Sequence, residues 1–205
     1  MNLYDKCLLP RLINLAMQSQ VARQERARYV PGATGRVLEI GIGSGLNIPF
    51  YRKDVERLCG VDPSAELLKM ARKRAAGASF PVELIEQSGE SLPAEDHAFD
   101  TVVTTWSLCT IPDPVAALKE MKRVLKPEGQ LIFIEHGRSP DARVLAWQNR
   151  LNPLWTRLGG GCNLNRKIDA LILETGFRIT EIETGYTGGP KPLTYLYKGV
   201  ACRPS

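Results

Sequence analysis

Paired cysteines, histidine and long apolar runs are what this 205-residue chain has least of. Its five cysteines, Cys7, Cys59, Cys109, Cys162 and Cys202, are odd in number and form no C-x-x-C pair. That argues against a disulfide framework and against a zinc site. Histidine occurs only at His97 and His136, so any imidazole chemistry falls to one of two residues. No apolar run approaches the roughly 18 residues of a membrane span, and the opening residues carry no signal-peptide pattern. The expectation is a soluble protein in a reducing, cytoplasmic compartment. Repeats, low-complexity tracts and linkers are missing too, which leaves one domain, 1–205. The net charge of +5 is spread over sets such as Arg23, Arg26 and Arg28, or Lys69, Arg72, Lys73 and Arg74. No aromatic residues interleave with them, so a nucleic-acid partner is not expected. Hydrophobic content of 43% and charged content of 24% are those of an ordinary globular protein.

What the chain does have is Val37-Leu38-Glu39-Ile40-Gly41-Ile42-Gly43-Ser44-Gly45, a buried strand running into a glycine-rich turn. Alternate glycines permit positive φ and let backbone approach a ligand with no Cβ between. A helix is expected from about Leu46, over 46–52, with its N-terminal N–H groups facing the ligand. The third glycine comes one residue earlier than in the dinucleotide fingerprint, and an acid, Glu39, precedes the first. A ligand with a cationic head and no pyrophosphate suits that variant, although a purely structural turn is the plainer alternative. A second strand ends at Asp62-Pro63-Ser64. Asp62 follows Gly41 by 21 residues, the spacing of an acid that holds a ribose diol. Its alternative is to support the turn at Ser64, which opens the helix 64–76.

Strands are expected at about 36–41, 56–61, 82–86, 99–104 and 130–135, with helices at 46–52, 64–76 and 114–125. This alternation implies an α/β fold, a Rossmann-like doubly wound sheet that is mostly parallel. After an irregular helical region, 141–175, the strand-like runs Phe177–Thr184 and Leu193–Ala201 suit an antiparallel hairpin closing the sheet edge. Ligands of such folds bind at the carboxyl ends of the strands.

The loop Glu39-Ile40-Gly41-Ile42-Gly43-Ser44-Gly45 resembles motif I of class I S-adenosylmethionine-dependent methyltransferases. The runs Ser88-Gly89-Glu90-Ser91-Leu92-Pro93, Phe99-Asp100-Thr101-Val102-Val103 and Leu125-Lys126-Pro127-Glu128-Gly129-Gln130-Leu131 are similar to the family's adenine-side loop, fourth strand and turn into the fifth. The resemblance covers about 35–136 and implies S-adenosyl-L-methionine as cofactor. It implies cofactor contacts at Glu39, Gly41, Gly43, Ser44, Gly45, Asp62, Pro63, Ser88, Gly89, Glu90 and Thr105, with no metal. Ser88 stands where the family most often has aspartate, and a hydroxyl bonds the adenine amino group less strongly.

A narrower resemblance lies in Trp106-Ser107-Leu108-Cys109, Glu135-His136, Trp147-Gln148, Leu151-Asn152-Pro153-Leu154-Trp155 and Gly161-Cys162-Asn163-Leu164-Asn165-Arg166. These are similar to the small-molecule thiol S-methyltransferase branch, and imply a small, fairly apolar thiol as substrate. His136, at the carboxyl end of the fifth strand, is the candidate base for that thiol; bracing the next turn is its alternative. His97 lies in a polar loop and reads as solvated. Trp106, Cys109, Trp147, Trp155 and Cys162 line either a substrate pocket or ordinary core. Leu8, Leu9, Leu12, Ile13, Leu15 and Ala16 form a broad apolar arc on an N-terminal helix that starts at Pro10. That helix packs on the sheet, closes over the cofactor as a lid (residues 1–30), or rests on a membrane surface. Membrane contact and an obligate protein partner are not expected. Residues 137–205 then supply substrate-side helices and the terminal hairpin. The other readings are a lipid-amine N-methyltransferase of the phosphatidylethanolamine type, a nicotinamide oxidoreductase, which the glycine spacing disfavours, and a catalytically silent adenosine-binding module.

Overall fold

In the computed structural model, residues 8–204 are described; Cys7 and the first seven residues of the expected lid lie outside them. Seven strands form one sheet: β1 (Gly35–Ile40), β2 (Val55–Asp62), β3 (Val82–Glu86), β4 (Phe99–Thr105), β5 (Leu125–His136), β6 (Arg178–Tyr186) and β7 (Tyr195–Cys202). Their order is β3-β2-β1-β4-β5-β7-β6. Every pairing among the first five is parallel, and β7 runs antiparallel to both neighbours. The expected α/β architecture and terminal hairpin are therefore present. The hairpin does more than cap the sheet edge, because its second strand slots between β5 and β6.

Burial follows strand position. β1 and β4 are buried along most of their length on both faces, polar residues included, whereas the outermost strand β6 alternates half-buried and exposed residues over much of its length. One face carries Leu38, Ile40, Val102 and Phe133 against Leu118 and Met121 of α4 (Pro114–Val124) and Ile168 and Ile172 of α6 (Ile168–Glu174). The other carries Val37, Val103, Ile132 and Ile134 against Tyr29 of α2 (Gln20–Tyr29) and Leu68 of α3 (Ala65–Ala75). Helix starts follow the capping rules. Ser64 accepts from Leu67 N ahead of α3, and Asp113 accepts from Val115 N and Ala116 N ahead of α4, with Pro114 in the first turn.

Two expectations change. The helix over 46–52 is absent: a run of turns leads into a 3₁₀ turn at Ile48–Phe50. Ile48 N reaches back three residues to Gly45 O, and Pro49 has no N–H with which to continue an α-helical ladder. The anion-attracting helix end expected behind the glycine loop is therefore missing. The irregular region 141–175 resolves into α5 (Ala142–Leu158), with Pro153 inside it, and α6.

The N-terminal arc splits over α1 (Leu9–Ala16). Leu9 and Ile13 approach Gly160 in the loop after α5, while Leu8, Leu12 and Leu15 stay exposed, at 51%, 46% and 69%. No helix among the described residues is long and apolar enough to cross a membrane.

The inserted strand gives a direct test of the topology. A Cβ on Gly199 of β7 would lie 2.0 Å from Glu181 O of β6. Gly199→Ala is expected to cost at least about 1–3 kcal/mol, the scale of overpacking, because the obstacle is backbone. Urea unfolding measures this, and an unchanged midpoint would contradict the β6–β7 pairing.

Candidate cofactor and methyl-transfer site

Register fixes the site. Ile40 lies opposite Val61 on one side and Thr104 on the other, so Gly41, Asp62 and Thr105 leave the sheet side by side. The reversal in strand order falls here, between β1 and β4, where doubly wound sheets open a ligand crevice. Gly41 and Gly43 sit at φ +68° and +55°, the left-handed region that side chains disfavour. A Cβ at Gly41 would collide with Ser107 Oγ at 2.0 Å, while one at Gly43 would project into the space beside Asp62. Gly41 thus packs loop against loop, and Gly43 keeps backbone open toward a ligand.

Asp62 supports the turn at Ser64 and also ties in the glycine loop. Its Oδ1 accepts from Ser64 N at 2.8 Å, bracing the turn, and its Oδ2 accepts from Gly43 N at 2.9 Å, tying the second strand to the glycine loop. Each oxygen keeps a lone pair for a further donor. Pro63 lies between these turns. Arg74 NH1 donates to Ser44 O and Arg74 NH2 to Asn14 Oδ1 at 3.2 Å, so α3 holds both the loop and α1.

Glu39 is 1% exposed and lies under the loop. Its oxygens accept from Asn47 Nδ2 at 2.8 Å and Tyr51 OH at 2.7 Å. Asn47 also donates to Thr105 Oγ1 at 3.0 Å and accepts from Arg26 Nε at 2.9 Å. Arg26 donates to Met17 O at 2.7 Å and lies 4.8 Å from the centre of the Trp106 ring. Thus α2, the glycine loop, β1 and the residues after β4 share one buried network. Arg26, Asn47 and Tyr51 went unread in the sequence because no spacing links them; a buried acid needing donors was the only signal.

On the adenine side, Ser88 Oγ donates to Glu90 Oε2 at 2.6 Å, and Glu90 Oε1 accepts from Asp113 N at 2.7 Å. A carboxylate thus stands two residues on from Ser88, bonded to its hydroxyl. Gly89 lies over Ile40, where a Cβ would come within 2.6 Å of its side chain.

At the end of β5, Glu135 is fully buried and accepts from Thr104 Oγ1 at 2.8 Å, Ser107 N at 3.1 Å and Cys109 N at 3.2 Å. It pins the segment after β4, a role that sequence spacing does not reveal. His136 is 5% exposed. Its Nδ1 lies 3.7 Å from Cys162 Sγ, and its Nε2 has no partner among the described residues. Cys162 Sγ in turn lies 3.7 Å from Cys109 Sγ. The structure therefore gathers His136, Cys109 and Cys162. Trp147 is left exposed on α5, and His97 sits by Leu125 O at the amino end of β5, away from the crevice.

The donors and acceptors of the glycine loop, Asp62 and the Ser88–Glu90 pair fit an adenosine with a cationic tail, and the comparisons with known proteins bear on the family and its cofactor. A methyltransferase-domain family model matches residues 38–133. Rat thiol S-methyltransferase TMT1B is 35% identical over 80% of this chain and 66% of its own length. The human protein is 32% identical over 82% and 69%. A phosphatidylethanolamine N-methyltransferase from Cereibacter sphaeroides is 35% identical over 58% and 59%. A solved S-adenosylmethionine-dependent methyltransferase from Thermotoga maritima shares the fold, with TM-score 0.67 at 21% identity, over 96% of this chain and 99% of that one. The chain belongs to the class I S-adenosylmethionine-dependent methyltransferases, and its cofactor is S-adenosyl-L-methionine. It spans about two thirds of the length of the mammalian thiol S-methyltransferases it matches.

The buried carboxyls set a pH dependence. Burial pushes Glu39 and Glu135 up from 4.5 to about 7, against the pull of their hydrogen bonds, and shifts Asp62 upward as well. A raised acid binds its proton more tightly when folded, so its contribution is full below about 4.5 and lost as pH climbs to 7. Unfolding free energy is expected to drop by about 1–3 kcal/mol per carboxyl between pH 4.5 and 7.5. Urea titrations across that window check this, and a rising profile would mean that the network favours the anions.

Proposed function

We propose that this chain methylates a small, fairly apolar thiol, with the cofactor held by Glu39, Gly41, Gly43, Ser44, Gly45, Asp62, Pro63, Ser88, Gly89, Glu90 and Thr105. The observation that carries the acceptor assignment is the buried Nε2 of His136 at the carboxyl end of β5, unpartnered among the described residues. The thiol S-methyltransferase relatives support the same reading.

When bound, S-adenosylmethionine supplies a sulfonium methyl that is already activated. The chain's own task is binding, orientation and one proton. Asp62 accepts from the ribose hydroxyls with lone pairs left free by Gly43 N and Ser64 N. Ser88, its proton engaged by Glu90, accepts from the adenine amino group. Glu39 and Thr105 act from below the loop, through Asn47, and Glu39 adds a negative field toward the cationic tail. Holding acceptor and donor together can supply about 7–11 kcal/mol of the barrier, so covalent help from a cysteine is unnecessary. A neutral thiol still has to ionise, and His136 Nε2 takes that proton. Helices α1 and α2, tied to the loop through Arg26 and Arg74, serve as the lid that keeps water out.

Asp62→Ala is expected to weaken S-adenosylmethionine binding by roughly 1.5–3 kcal/mol, the scale of a lost charge-assisted hydrogen bond. Calorimetry on the cofactor, with NAD as the control that does not bind, measures it. Unchanged affinity would remove Asp62 from the site.

His136→Gln is expected to lower kcat/KM for thiols about 10²–10⁴-fold at pH 7 while leaving cofactor affinity nearly intact. Raising the pH toward the acceptor's own pKa should restore part of the rate, because the thiol then ionises unaided. A loss with no pH rescue assigns His136 to positioning. Full activity in the variant, or transfer to phosphatidylethanolamine vesicles in place of thiols, would overturn this assignment.

A further inference from the structure

Methyl transfer needs neither of the two cysteines beside His136, yet their arrangement is specific. Cys109 is 1% exposed, and Cys162 is half-buried in front of it. The 3.7 Å between their sulfurs would have to shorten by about 1.7 Å to reach a disulfide bond length. Backbone holds the pair in register: Asn163 N donates to Cys109 O at 2.7 Å, and Asn163 Nδ2 to the same oxygen at 3.2 Å. Movement has a source as well. Cys162 follows Gly159-Gly160-Gly161, with Gly160 and Gly161 at φ +64° and +94°. A chain so free of side chains can carry Cys162 toward its partner.

The two sulfurs are also chemically unequal. The thiol of Cys109 and the imidazole of His136 hold Cys162 below the ordinary thiol range, against its partial burial. Its contact with Cys162 and its burial raise Cys109. An outer sulfur inclined to be thiolate and an inner one that stays protonated are the two parts of an attacking and resolving pair. Beside them the unpartnered Nε2 of His136 marks a place for a polar or sulfur-bearing ligand.

We propose that Cys162 and Cys109 form a redox-active dithiol that reduces low-molecular-weight disulfides at the acceptor site. Cys162 thiolate attacks one sulfur of RSSR; the S–S bond breaks, a Cys162–S–SR bond forms, and RS⁻ leaves and is protonated. Cys109 then loses its proton and attacks Cys162 Sγ, forming the Cys109–Cys162 bond and expelling the second RS⁻, which gains a proton. Two protein thiols are oxidised, and one disulfide is reduced to two RSH. The choice of ligand class rests on the thiol reading of the preceding section. The exchange itself requires no methyl donor, so the two ideas fail separately.

The test uses the full chain, reduced, freed of reductant and held under nitrogen at pH 7 with bis(2-hydroxyethyl) disulfide and no S-adenosylmethionine. Two equivalents of 2-mercaptoethanol per chain and a cross-linked Cys109–Cys162 peptide in the mass-spectrometric map are expected. Cys109→Ser should instead accumulate a mixed disulfide on Cys162, and Cys162→Ser should give neither product. The wild-type map stands without the variants should either fail to fold. Mixed disulfide confined to other cysteines, or a chain that keeps both thiols, would overturn the dithiol. In that case calorimetric binding of S-adenosylmethionine to the same sample would still support the methyltransferase reading.

Discussion

A carboxylate at the end of a central strand has no water to solvate it, and everything near Glu39 is arranged around that fact. Burying an unpaired charge costs several kcal/mol, so donors must come from the protein. Asn47 and Tyr51 provide them from the turns after the glycine loop, and Arg26 brings a cation from α2 by way of Asn47. Because Arg26 also covers the Trp106 ring, the same network reaches the segment after β4. Loop, N-terminal helices and acceptor side are thereby held to one another through a single acid. Glu135 repeats the device one strand pair away, gathering Thr104, Ser107 and Cys109. Two buried acids at the carboxyl edge thus shape the two halves of the crevice.

Much of the parallel sheet was legible because its strands are apolar runs punctuated by glycine and proline. Asp62 was legible through its spacing from Gly41, since strand length and sheet register fix that distance. The helix after Leu46 was misread for a local reason: its composition is apolar enough, and one proline vetoes the hydrogen-bond ladder. The slot taken by β7 could not be read from periodicity, because strand order is a property of pairing and not of the strand's own pattern. Arg26 and Asn47 were hidden in the same way. Each reads as an ordinary exposed polar residue until the fold brings it to Glu39.

At Ser88 the structure pairs the departing residue with a nearby acid. Donation to Glu90 places negative charge behind the hydroxyl and turns its oxygen toward accepting. A motif read position by position records a neutral residue there, whereas the folded chain sets a carboxylate against its hydroxyl.

The insertion of β7 between β5 and β6 also dictates an order of assembly. β6 follows β5 in the chain, yet its partner in the sheet is β7, and β6 joins the sheet only through that strand. On a growing chain, the edge of β5 that carries Phe133 and His136 stays unzipped while α5, α6 and β6 emerge. That edge closes only when the seventh strand arrives. Closure of the β5 edge is therefore coupled to a non-local pairing, from His136 with Leu196 to Gln130 with Cys202, of the kind that slows folding.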